Sequence, residues 1–95
     1  MSKLSESQIQ ASLAAVPDWS EVSGAIQRTY SFPTFKESIG FVVRVAEAAD
    51  AADHHPDILI RYTKVTLTFS THDAGGITAK DFKGAEVADS LVQPS

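Results

Sequence analysis

The residues best equipped for chemistry sit in one short stretch, Asp53-His54-His55-Pro56, and in a later histidine, His72; together these hold all three histidines of the chain. An imidazole with a pKa near about 6.5 donates a proton in one state and accepts one in the other at neutral pH. Several of them around one pocket suit acid–base chemistry such as a dehydration. Metal binding is a second reading. Against it, adjacent residues in an extended segment diverge, and the chain has neither an HExxH motif nor a cysteine. A third reading is a polar surface loop whose histidines have no chemical role. Pro56 confines His55 to extended backbone angles and so directs how the loop leaves.

Asp81 is the acidic group most able to join them. As the fourth residue of Thr78-Ala79-Lys80-Asp81 it has the form of a capping box, so its carboxylate can close a helix, partner an imidazole, or do both. Gly75-Gly76 fits a turn with positive backbone angles. The glycine spacing and following Lys-Ser/Thr of a phosphate-cradling loop are missing.

Two strands must carry the histidines. Ile58, Ile60 and Tyr62 alternate with Leu59 and Arg61, and Val65, Leu67 and Phe69 alternate with threonines, which predicts a hairpin turning at Thr63-Lys64. In that register positions 55 and 72 emerge at the same open end, so all three imidazoles can meet there, with Asp81 and Asp73 brought toward the same spot. Upstream, Ser5 and Gln8 form a capping box and Leu4 with Ile9 a hydrophobic staple, opening a helix that ends before Pro17. Ser23-Gly24 turns a first hairpin, whose second strand sets Ile26, Arg28, Tyr30 and Phe32 on one side.

From Thr34 the period becomes helical: Phe35, Ile39, Val42, Val43, Ala46 and Ala49 make one stripe, and Phe41, Val45, Ala48 and Ala52 a second beside it. Deep burial could explain two stripes, but so small a domain has little material to wrap a helix, and self-association is favoured. A last helix runs through Phe82, Ala85, Val87, Ala88 and Leu91. The order is α-β-β-α-β-β-α, an α+β pattern with antiparallel strand pairs.

Ninety-five residues, 43% of them hydrophobic and 21% charged, make one soluble domain spanning 1–95. Twelve acidic against eight scattered basic residues give a formal charge of -4, which disfavours direct nucleic-acid binding. The opening residues lack the apolar core of a secretory signal, and no apolar run approaches the roughly 20 residues that span a bilayer. A cytoplasmic protein without membrane contact is expected.

Taken together, the acidic Asp50 four residues before His54-His55-Pro56, then Tyr62, Val65, Thr71-His72, Gly76 and Asp81, resemble the pterin-4a-carbinolamine dehydratase family. The likeness covers the second half in motif detail and the first half in element order, Trp19 and Ser31-Phe32. It implies a four-stranded antiparallel sheet with three helices packed on one face, assembled as a homodimer or homotetramer through the 34–52 helix and sheet edges. It also implies a hydro-lyase that dehydrates 4a-hydroxytetrahydrobiopterin to quinonoid dihydropterin in tetrahydrobiopterin recycling, with no metal or organic cofactor. By the same resemblance His54 and His72 are the principal acid and base, His55 holds and polarises the pterin, and Asp81 orients an imidazole. Asp53, Ser70, Thr71 and Asp73 supply hydrogen bonds to the heterocycle, together with Asp50, where many family members carry a longer Glu. An alternative on the same fold is a non-catalytic interaction or assembly module resembling a transcriptional coactivator.

Overall fold

In a computed structural model, residues 2–92 are described. Helix α1 (Glu6–Leu13) opens on the Ser5 capping box, in which the Ser5 hydroxyl accepts from the Gln8 backbone and the Gln8 side chain accepts from the Ser5 N–H. Strands β1 (Ser20–Val22) and β2 (Ala25–Ser31) flank a two-residue turn in which Ser23 and Gly24 both have positive φ, +48° and +79°. That is the backbone twist a tight hairpin needs. Helix α2 (Phe35–Ala52) follows the Thr34 cap, whose hydroxyl accepts from the Glu37 N–H at 3.1 Å. Strands β3 (Asp57–Arg61) and β4 (Lys64–Phe69), a 3-10 turn (His72–Ala74) and helix α3 (Ala79–Ser90) complete the expected order.

The four strands form one antiparallel sheet in the order β1-β2-β4-β3. Its register is what sorts the two faces. Ile26 lies opposite Phe69, Arg28 opposite Leu67 and Tyr30 opposite Val65, so one face is apolar and carries the helices. On the other face Gln27 bonds Thr68 at 3.0 Å, Thr29 meets Thr66 at 2.7 Å, and Lys64 reaches Ser31 at 3.1 Å, a polar ladder that needs no cover. The second hairpin is one residue out from expectation: Arg61 pairs with Lys64, so Tyr62-Thr63 is the turn and not Thr63-Lys64. Tyr62 takes φ +56° to make it, an uncommon conformation for an aromatic residue.

Helix α2 turns Phe41, Val45 and Ala49 into the core, with Phe41 fully buried, while Val43 is 52% and Phe35 50% exposed. The stripe through Phe35, Val43 and Ala46 therefore has no cover among the described residues. Phe35 instead stacks on Tyr62 at 6.3 Å between ring centroids, and Tyr62 is itself exposed. Ile58 and Ile60 on β3 are also partly exposed.

Helix α3 is tied to the sheet by one carboxylate. Asp89 Oδ1 accepts from Trp19 Nε1 at 3.0 Å, from Arg28 at 2.8 Å and from the Tyr30 hydroxyl, and Arg28 lies 4.2 Å above the centre of the Tyr30 ring. Burial, reinforced by Asp89, raises the pKa of the Tyr30 phenol well above its ordinary value. The neutral phenol thus adds stability that is full below the unfolded value near pH 10 and is lost as pH rises through it, because only the unfolded chain then releases the proton. Urea midpoints of the native protein should therefore fall more steeply above about pH 10 than those of Tyr30→Phe, which should cost about 1–2 kcal/mol at neutral pH.

Candidate active site

The chain reaches the site through the end of α2. Asp53 adopts the left-handed conformation, φ 52° and ψ 40°, and its N–H bonds the Asp50 carbonyl at 3.3 Å while the next N–H, that of His54, bonds the Ala49 carbonyl at 3.2 Å. This pair of bonds is a Schellman motif. It ends the helix and places His54 at a fixed angle directly behind it, and Asp is among the few residues other than Gly that tolerate the left-handed position.

His54 then turns inward. Its Nε2 lies 2.6 Å from Asp81 Oδ1, and its ring stacks on Phe69 with centroids 5.9 Å apart and planes 21° from parallel. Asp81 is completely buried. It keeps the capping role expected of it, since its Oδ2 accepts from the Thr78 N–H at 2.9 Å, and the same oxygen accepts from the Thr71 hydroxyl at 2.9 Å. Capping and imidazole pairing thus coexist in one carboxylate, each oxygen serving one of them.

The other histidines lie farther out. His55 Nε2 is 2.9 Å from Asp50 Oδ1 in a pair that is largely solvent-exposed, so the shorter acid at position 50 still reaches an imidazole. His72 opens the 3-10 turn. The Thr71 N–H bonds the Gly76 carbonyl at 2.9 Å, and Gly75, at φ +75°, sends its N–H back to the His72 carbonyl at 3.0 Å. The segment between is a small closed loop with His72 and Asp73 exposed on it. Among the described residues the His72 side chain makes no hydrogen bond, and no imidazole bonds another. Two of the three imidazoles pair with carboxylates, His54 with Asp81 and His55 with Asp50. Also among the described residues, no group of three or more His, Cys, Asp or Glu is placed to hold a metal ion.

Of the residues expected to bind substrate, Thr71 is buried, with its hydroxyl directed at Thr78 and Asp81, whereas Asp50, Asp53 and Asp73 face solvent and Ser70 is half-buried. Two contributors escaped the sequence reading. Phe69 supports the His54 ring, and Gly84 on α3 allows Phe69 to lie there: a Cβ at Gly84 would fall 2.6 Å from the ring. The alternation of β4 pointed Phe69 inward, but its contact with His54 depends on packing across the sheet. Behind them a cavity of about 200 Å³ between α2 and α3 is lined by apolar residues such as Val45, Ala49 and Leu91, with Lys80 and Lys83 beside it, and touches the histidines only at His54.

The fold and this buried imidazole–carboxylate pair define an α+β protein of pterin-dehydratase architecture. A crystal structure from Brucella melitensis described as a transcriptional coactivator/pterin dehydratase matches with a TM-score of 0.92 and 32% identity over 96% of this chain and 99% of that one. The family model "Pterin 4 alpha carbinolamine dehydratase" matches residues 2–91, and the chain belongs to that family. A Picosynechococcus protein named "Putative pterin-4-alpha-carbinolamine dehydratase" is 52% identical over 94% of this chain and 97% of its own. A Chloroflexus aurantiacus protein of the same name is 49% identical over 97% and 99%. A structure reported as a pterin dehydratase-like RuBisCO assembly factor shares the fold, with a TM-score of 0.65 at 18% identity over 81% of this chain and 89% of that one.

The close approach at Gly84 sets up a contest of known sign. Alanine improves helix propensity by about 1 kcal/mol, while overpacking costs about 1–3 kcal/mol, and the nearest atoms belong to a wedged aromatic ring. Gly84→Ala should be less stable than the native chain in urea denaturation and should shift the His54 ring resonances through Phe69.

Proposed function

We propose that this chain dehydrates pterin-4a-carbinolamines of the 4a-hydroxytetrahydrobiopterin type, releasing water and quinonoid dihydropterin as a step of tetrahydrobiopterin recycling. The family places the chain among proteins named for this reaction. The observation that carries the mechanism is the 2.6 Å contact between His54 Nε2 and a fully buried Asp81. A buried carboxylate supports positive charge on an imidazole and holds its ring in one orientation, which is what an acid–base group needs.

The reaction moves two protons. The hydroxyl on C4a accepts one as the C4a–O bond breaks, and N5 loses one as the C4a–N5 double bond forms. His54 and His72 take these two roles. His54 is the oriented group, and His72, free on its loop, meets the other side of the ring. His55, held by Asp50, fixes and polarises the heterocycle, and Asp53, Ser70 and Asp73 offer hydrogen bonds around it. Such proton transfers require no metal or organic cofactor. The cytoplasmic setting expected from composition belongs to the same reading.

Stopped-flow dehydration of a synthetic carbinolamine tests this. His54→Ala and His72→Ala should each lose about 10²–10⁴-fold in rate; wild-type rates in both, with the fold intact, would remove the acid–base assignment.

The uncovered surface formed by Phe35, Val43, Ile60 and Tyr62 favours assembly as a homodimer or homotetramer. Val43→Asp puts a charge on the exposed face of α2 and should shift sedimentation toward the monomer without unfolding the chain, since Val43 is half exposed. The same surface favours a second reading, a module that binds another protein. A stoichiometric partner, together with no turnover of carbinolamine, would select it.

A further inference from the structure

The hydrogen bonds around Asp81 have a direction, and it determines which nitrogen of His54 is free. Asp81 Oδ2 receives the Thr71 hydroxyl and the Thr78 N–H. A hydroxyl carries one hydrogen, and that of Thr71 points to Asp81. In the 2.8 Å contact between the Thr71 and Thr78 hydroxyls, Thr78 is therefore the donor. Thr78 Oγ1 in turn accepts the Lys80 N–H at 3.3 Å. The relay runs one way, from Lys80 to Thr78 to Thr71 to Asp81.

Carboxyl groups ordinarily ionise about two pH units below imidazoles, so in a carboxyl–imidazole contact the hydrogen belongs to the ring and the carboxylate accepts only. The second oxygen of Asp81, Oδ1, faces His54 Nε2, which places that hydrogen on Nε2. In the neutral imidazole the lone pair then resides on Nδ1. Nδ1 makes no hydrogen bond among the described residues, and among these residues no buried side-chain nitrogen or oxygen lacks a partner. Nδ1 is therefore open to solvent.

We propose that Thr71 is a positioning residue: by holding Asp81 it locks His54 in the Nε2–H tautomer and makes Nδ1 the atom that exchanges a proton with the carbinolamine. The role of Nδ1 in turnover rests on the dehydratase reading above. The tautomer does not, and it can be measured without substrate.

The experiment is two-bond proton–nitrogen NMR on the full chain labelled with ¹⁵N-histidine, recorded above the His54 transition, together with carbinolamine kinetics. In the native protein the neutral His54 ring should show the Nε2–H pattern alone. Thr71→Val removes the donor while keeping the shape. It should broaden or mix the His54 tautomer signals, change the pH profile of kcat, and lower kcat by about ten- to a hundredfold with KM within about twofold. Thr71→Ser restores the hydroxyl and should recover both the tautomer and the rate, which a merely structural threonine would not predict.

A native His54 with its hydrogen on Nδ1 overturns the proposal even if no variant folds. A folded Thr71→Val that keeps both the single Nε2–H pattern and the native pH profile overturns it as well. If the native chain shows no turnover, the dehydratase reading fails, and the NMR comparison of native, Val and Ser proteins still decides the role of Thr71.

Discussion

A carboxylate with no access to water must be satisfied by its neighbours, and Asp81 meets that condition with three hydrogen-bond partners, two on Oδ2 and one on Oδ1. Leaving a buried charge unpaired costs several kcal/mol, far more than one hydrogen bond contributes. The parts that satisfy it come from three places in the chain: His54 after α2, Thr71 beyond β4, and Thr78 at the start of α3. These segments can meet only when α2, β4 and α3 are all in place. The carboxylate thus makes the site conditional on the fold.

The imidazoles are positioned by backbone devices of different stiffness. His54 follows a Schellman motif whose bonds fix its departure from α2, and it has a ring beneath it and a carboxylate beside it. His72 sits exposed on a short loop closed by the Thr71–Gly76 bridge and the left-handed Gly75, and among the described residues its side chain makes no hydrogen bond. Under the proposed dehydration, a rigid group and an exposed one would suit a reaction in which one proton is delivered along a set direction while the other leaves to an adaptable acceptor.

Polarity is divided elsewhere by the same economy. The outer sheet face ties its Gln, Thr, Ser and Lys side chains to one another and needs no layer above it, while the inner face takes all three helices. That leaves α2 with one stripe in the core and another in the open beside β3. The same fold occurs in a structure reported as a pterin dehydratase-like RuBisCO assembly factor.

Much of this was legible in the chain itself. The Ser5–Gln8 and Thr78–Asp81 capping boxes, the Ser23-Gly24 turn and the alternation of Val65, Leu67 and Phe69 each act within a few residues, and each appears where expected. Continued two residues further, that alternation also turns Thr71 inward and His72 outward, a signal present in the sequence but not used. The turn at Tyr62-Thr63 could not be read, because an aromatic residue gives no compositional warning of a positive φ. By itself, then, the sequence determined the elements, their order and the residues able to move protons, since periodicity, caps and turns are local. Which oxygen of Asp81 meets His54, what supports that ring and which helix face stays bare were decided by tertiary structure, because those contacts join segments tens of residues apart and exist only once the core has closed.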